Sequence, residues 1–183
     1  MEVLELKNKS LLSKWLFKLM NEQGVWQELL QNKYFKEKTL SQVSARPTDS
    51  PFWKGLMSVK DDFLSRGLMV VGNGQNTRFW EDVWLGDRPL CVQYPTLYRI
   101  VNHSNVSVAH VMAASPLNIG FRRALSGDKW DRWVNLVTRL MGVQLSDNND
   151  IFRWSLTPSG LFTVRSMYLD LLDGTAGDFK KYI

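Results

Sequence analysis

The residues with the greatest chemical potential are the adjacent acids Asp61-Asp62. Paired aspartates hold the cations of two-metal phosphoryl-transfer sites, where they must converge with further carboxylates. Polymerases carry the pair on a hairpin turn, whereas Val59-Lys60-Asp61-Asp62-Phe63 has helical spacing, with Phe63 toward a core and the acids toward water. Gly72-Asn73-Gly74 invites comparison with a phosphate-binding loop. Thr77 stands where the third glycine of such a fingerprint belongs, and no Walker lysine follows. A tight hairpin turn, in which Asn and Gly tolerate positive φ, explains it better. Glu81, Asp82 and Asp87 could face a cation, and His103 and His110 could be ligands, but the histidine spacing matches no helical ligand pair. Cys91 is the single cysteine and has no nucleophile signature around it. Trp80 and Trp84, near Arg78 and Arg88, could stack on bases, although packed aromatic clusters with cation–π edges share this spacing. No reaction centre, metal site or cofactor site is expected.

The elements that position these residues follow from periodicity. Leu12, Trp15, Leu16 and Leu19, then Trp26, Leu29 and Leu30, recur at helical spacing, with a break or kink at Asn21–Gly24. Residues 38–50 form a polar loop. Ser50 then caps a helix with Pro51 at its first position, running to about Ser65 and ending at Gly67. Leu68–Val71 and Thr77–Trp80 are predicted to pair across Gly72-Asn73-Gly74 as a small antiparallel element. Residues 81–95 read as an irregular aromatic loop, and 106–114 as a strand leading into a short helix. Asp128 is the expected cap of the clearest helix, with Trp130, Trp133, Val134, Val137, Leu140 and Met141 inward and Asp131, Arg132, Asn135 and Arg139 outward. Phe152, Trp154 and Leu156 alternate ahead of Thr157-Pro158-Ser159-Gly160, predicting a hairpin that returns through Leu161–Val164. A last helix should start at Ser166 and stop at Gly174, leaving a tail over Thr175–Ile183 without a partner. The expected class is α+β, mainly helical, with a small antiparallel element and a C-terminal β-hairpin followed by a helix.

Composition narrows the function classes. The 183 residues are 44% hydrophobic and 22% charged, and include 8 Trp and 9 Phe, enough apolar surface for a substantial core. One cysteine excludes an internal disulfide and a multi-thiolate zinc site. No secretory signal or membrane-length apolar run is visible, so an intracellular, cytoplasmic or nuclear setting is expected. The net charge of +5 is spread thinly: residues 1–46 carry 8 Lys/Arg against 5 Asp/Glu, 47–125 carry 8 against 6, and 126–183 carry 7 against 7. The basic doublets are Arg122-Arg123 and Lys180-Lys181. A dedicated nucleic-acid module concentrates its charge more than this, so any such binding is expected to be weak.

Read as strings, several segments resemble one family. Asn8-Lys9-Ser10-Leu11-Leu12-Ser13-Lys14-Trp15-Leu16-Phe17-Lys18-Leu19 is similar to the stretch after the reverse-transcriptase core of plant long interspersed (LINE-type, non-LTR) retrotransposon polyproteins. Val25-Trp26-Gln27-Glu28-Leu29-Leu30 with Lys33-Tyr34, and Ser50-Pro51-Phe52-Trp53-Lys54-Gly55, follow in the same order. The most specific match is Val71-Gly72-Asn73-Gly74 running to Thr77-Arg78-Phe79-Trp80-Glu81-Asp82-Val83-Trp84-Leu85-Gly86. Pro116-Leu117-Asn118-Ile119-Gly120-Phe121-Arg122-Arg123 and Phe162-Thr163-Val164-Arg165-Ser166-Met167-Tyr168 also resemble the family, the latter the start of its C-terminal zinc-binding region.

This resemblance implies three consecutive segments: a post-polymerase helical connector over 1–46, a central helix with an aromatic-rich antiparallel unit over 47–125, and a helix leading into the start of a zinc-binding-region-like unit over 126–183. It also implies that the polymerase acids lie upstream and the zinc ligands beyond Ile183, so that no catalytic or metal residue carries over. Met1 falls inside continuous family text, as expected of a start codon within an old insertion or of a gene captured from one. The resulting expectation is a non-catalytic, reverse-transcriptase-related fragment with weak residual RNA or DNA binding through Arg78, Arg88, Arg122 and Arg123. The alternative is a host-recruited interaction factor, a regulator or a selfish toxic or protective element, that meets a host protein through Phe152, Trp154, Phe162 and Tyr168. An active reverse transcriptase or nuclease is the remote third reading.

Overall fold

The computed structural model describes residues 2–36 and 38–179. The fold is α+β and mainly helical, with one two-stranded antiparallel sheet. Contacts group into two units, Met1–Leu68 with Phe152–Ile183, and Met69–Ile151. This grouping is not consecutive in the chain, whereas the three segments read from the sequence divide it at linkers. Among the described residues, no helix is long and apolar enough to cross a membrane.

In the first unit, α1 (Glu2–Asn21) and α2 (Val25–Leu30) are separated at Gly24, as the interrupted apolar pattern predicts. Leu6, Leu16 and Leu19 of α1 are buried, and so are Ser10 and Ser13. The two serines fit the interior because their hydroxyls donate back to Leu6 O at 2.8 Å and Lys9 O at 2.9 Å. After the loop, Ser50 accepts a hydrogen bond from Trp53 N at 3.2 Å and caps α3 (Pro51–Ser58). The predicted single helix to Ser65 is in fact two, with α4 (Lys60–Leu64) restarting after Val59. Phe63 on α4 is buried against Phe152, Trp154 and Phe162, with ring centroids 4.8, 5.5 and 6.3 Å away.

Strand β1 (Gly67–Val70) pairs with β2 (Ile151–Trp154), not with Thr77–Trp80 as local spacing suggests. The expected C-terminal hairpin is likewise replaced. Trp154 N donates to Gly160 O at 2.8 Å and closes a turn, after which residues 161–163 add no strand. Both corrections have one cause: β2 takes its partner from far back in the chain, so neither local hairpin forms. Helix α9 (Val164–Phe179) is capped by Thr163, whose Oγ1 accepts from Ser166 N at 3.0 Å. It therefore begins before the predicted Ser166 cap and runs past the predicted stop at Gly174. A glycine costs an exposed helix only about 1 kcal/mol relative to alanine, too little alone to end it. Lys180-Lys181 and the end of the predicted tail lie outside the described residues.

In the second unit, Phe79, Trp80, Leu90, Tyr94, Leu97, Val101, Val108, Val111, Leu136 and Leu140 form the core. Short helices α5 (Leu90–Gln93), α6 (Pro95–Tyr98) and α7 (Val108–Met112) surround it, together with α8 (Asp128–Leu140). Ser107 caps α7 by accepting from His110 N at 3.2 Å. The cap of α8 is Gly127, and Asp128 instead accepts from Arg132 Nε at 2.8 Å. The buried side of α8 follows prediction only in part: Leu140 is inward as expected and Leu136 joins it, while Trp130, Val134 and Met141 are exposed. Arg139, expected outward, turns in and donates to Leu85 O at 2.7 Å and to Gln93 Oε1 and Tyr94 Oη at 2.8 Å.

Candidate nucleic-acid interface

Loop 72–77 takes its shape from a carboxylate. Asp150, 8% exposed, accepts from Gly72 N and Gly74 N at 2.8 Å through Oδ1, and from Asn76 N and Thr77 Oγ1 at 2.9 Å through Oδ2. A carboxylate with two oxygens is suited to gathering several donors that would otherwise be stranded away from water. The predicted hairpin turn is thus an anchored loop. Glycine is required at position 72, because a Cβ there would lie 2.2 Å from Asn148 O. Gly74 has φ +72°, and a Cβ there would lie 2.7 Å from Ala109 N. The Gly72, Gly74 and Asn76 amides go to Asp150, Asn73 N donates to Asn148 O at 2.7 Å and Gln75 N to Asn73 Oδ1 at 3.0 Å, so these five are not held out to an anion. Beyond it, Val108 N donates to Thr77 O and Phe79 N to Val106 O, both at 2.9 Å. This pairing turns Phe79 and Trp80 into the core and carries Arg78 into a bridge with Ser107.

The other candidate acids and imidazoles are engaged separately. The Asp61 side chain is 94% exposed, and Asp62 lies 3.5 Å from Arg66 Nη1. Asp82 accepts from Arg78 N at 2.7 Å, and Tyr98 Oη meets Glu81 Oε1 at 3.4 Å. Asp87 is exposed beside Arg88. His110 Nε2 contacts Asn118 Nδ2 at 2.9 Å, and His103 is exposed. Among the described residues, no three His, Cys, Asp or Glu side chains are placed to share a cation. Burial pushes the half-buried Cys91 thiol up from its usual range, with Glu81 adding to the shift, and burial likewise raises Tyr98. A thiol shifted this way holds its proton and is a poor nucleophile at neutral pH.

Of the four arginines predicted to touch nucleic acid, Arg78 is half-buried within the unit, whereas Arg88, Arg122 and Arg123 are exposed. Trp80 is fully buried, and Trp84 packs against the core and donates its indole N–H to Phe79 O at 2.9 Å, so this pair is the packed aromatic cluster that its spacing more often makes, not a stacking platform. Arg122 and Arg123 directly follow an antiparallel bridge between Val101 and Phe121. Arg122 N donates to Ile100 O at 2.8 Å and Asn102 N to Gly120 O at 2.9 Å. The first of these bonds sets Arg122 against Ile100, whose chain neighbour Arg99 is exposed and was singled out by no sequence motif. Among the described residues, none of these three guanidinium groups has a carboxylate within ion-pair distance.

The predicted partner surface also changes. Phe152 and Trp154 are buried, so a partner could not reach them, and Phe162 and Tyr168 are half-buried. Phe162 packs on Trp154 with ring centroids 4.8 Å apart and on Phe17 at 5.8 Å. These rings alternate toward the core because β2 and the following turn close over Phe63.

An uncharacterized mitochondrial protein of Arabidopsis thaliana is 29% identical over 82 residues, 44% of this chain and 53% of that protein. A putative ribonuclease H protein of the same plant is 28% identical over 170 residues, 88% of this chain and 26% of that protein. The chain therefore spans about half the length of the first relative and a quarter of the second. No family model matches it, and no solved structure does. The similarity supports a plant, retrotransposon-related origin.

Proposed function

We propose that this chain is a non-catalytic, retroelement-derived module that contacts the phosphate backbone of nucleic acid weakly. It corresponds to the stretch between the reverse-transcriptase core and the zinc-binding region of a plant LINE-type polyprotein. One observation carries the binding: exposed Arg122 and Arg123 have no carboxylate within ion-pair distance among the described residues. Like charges held close together repel, and phosphates are the anions that arginine forks match best. The dispersed acids support the absence of catalysis, because two-metal chemistry needs several carboxylates at one point.

The test is equilibrium binding of the purified chain to single-stranded RNA across a salt series. Binding at low salt that falls steeply toward physiological salt is expected, since counterion release dominates such contacts. No binding at low salt would refute the phosphate contact. Metal-dependent primer extension, or hydrolysis of an RNA–DNA hybrid, would refute the non-catalytic assignment.

A second reading, a host-protein interaction factor, draws on exposed Leu161 and Leu169 after β2. Apolar side chains left in water favour association. Recovery of one stoichiometric partner from plant extract, released when Leu161 and Leu169 are changed to Ser, would support it.

A further inference from the structure

Trp130 is 53% exposed at the start of α8, while Trp80 in the same unit is fully buried. On the helix, Trp130 precedes Trp133 by three residues and so lies on an adjoining part of the surface. The Trp133 ring meets Phe121 edge-on, with centroids 5.2 Å apart and planes at 81°. Phe121 immediately precedes Arg122-Arg123, so one helical turn and one ring contact join the exposed indole to the arginine group. The acids at this end of α8 do not neutralise that group. Asp128 is held by Arg132 at 2.8 Å, and Asp131 lines a cleft with Gln93, Tyr94 and Asn135, on the side of the helix away from Trp133.

We infer that Trp130, Arg99, Arg122 and Arg123 form a face for single-stranded nucleic acid. The guanidinium groups take successive phosphates, and the indole stacks on an unpaired base. Basic grooves with aromatic platforms bind single strands in this way, whereas a duplex keeps its base faces covered. The inference rests on the proposed phosphate contact and adds to it a preference for unpaired strands. Val134 and Met141 are also exposed on α8, a feature that suits a protein partner. The three unneutralised arginines favour the polyanion.

The test uses the full chain, a fluorescent oligouridylate and a duplex RNA of equal length, with circular dichroism of each variant as a folding check. Trp130→Ala should weaken oligouridylate binding about 5- to 20-fold, leaving duplex affinity and the salt slope unchanged, with Trp130→Phe restoring most of the loss. Arg99→Ala should lower the slope of log affinity against log salt by about 0.7 on the single strand. Absence of binding by the native chain at low salt would sink the proposed function itself. Native binding that Trp130→Ala leaves unaltered, or weakens equally for strand and duplex, would overturn the stacking face alone. Loss of self-association in Trp130→Ala with unchanged oligouridylate affinity would assign the indole to a protein contact, and would also overturn it.

Discussion

Replacing Asp150 should expose how much of the central unit depends on one carboxylate. Its oxygens accept from Gly72 N, Gly74 N, Asn76 N and Thr77 Oγ1 at 2.8–2.9 Å. In Asp150→Ala, Asn76 can turn to water because it is exposed, but Gly72, Gly74 and Thr77 are buried. Each stranded buried donor costs about 1–3 kcal/mol, and the three together set a ceiling near 9 kcal/mol. Water entering the vacated space lowers this, so the expected loss is about 3–5 kcal/mol, a large part of the 5–15 kcal/mol typical of a folded protein. With a urea m-value of about 2 kcal/mol/M, the midpoint should fall by roughly 1.5–2.5 M. Asp150→Asn should recover little, because its amide group turns a donor toward donors. Urea unfolding should be followed by amide exchange at Gly72 and Gly74 as well as by fluorescence, since two units need not unfold together. A midpoint within about 0.5 M of the native chain in Asp150→Ala, with those amides still protected, would refute the reasoning.

Three further outcomes follow from geometry. A Cβ on Gly67 would lie 2.3 Å from Phe152 Cζ and 2.8 Å from Arg153 O, so Gly67→Ala should cost about 2–4 kcal/mol, read as a lower melting temperature. Arg139→Met keeps much of the stem but takes the donor from Gln93 Oε1 and leaves Leu85 O with Gln93 Nε2 alone, at a cost of about 1–3 kcal/mol in urea unfolding; Arg139→Lys, lacking the planar fork, should rescue only part of it. Cys91 and Tyr98 are raised above 9.0 and 10.0 by burial, so the folded state retains protons that the unfolded chain loses. Their contribution is complete below pH 9 and lost as pH climbs through the folded values; alkaline melts should show Cys91→Ala less sensitive above pH 9 than the native chain.

Local signals were readable where cause and effect lie within a turn of each other. Ser50-Pro51 announced the start of α3, Gly24 the gap between α1 and α2, and Phe63 its own burial. The sheet was not readable, because the strand that β1 pairs with begins some 80 residues later and nothing in Leu68–Val71 names it. Asp150 was missed for the same reason: it bonds Gly72 across 78 positions, and an isolated acid has no motif. On α8, the tryptophans dominated the apolar pattern and drew the inward face toward Trp130, while Leu136 and the stem of Arg139 took the interior. The proposed interface was half visible. Adjacency disclosed Arg122-Arg123, but Arg99 joins them only through the backbone bond from Arg122 N to Ile100 O.

How the carboxylates are used bears directly on what this chain can do. Asp150 gathers backbone amides, Asp82 accepts from Arg78 N, Asp62 lies beside Arg66, and Asp128 meets Arg132 within one helical turn. Each of these acids is committed to a donor near its own place in the fold, and the exposed Asp61 lies 3.9 Å from Lys60 Nζ. A reaction centre works by holding charges together that would rather separate, with the rest of the fold meeting that cost. Here the acids meet donors in their own neighbourhoods, and the adjacent arginines Arg122 and Arg123 stand exposed at the surface. An exposed arginine doublet is a place that an external polyanion can occupy with release of counterions, and the proposed phosphate contact rests on that property.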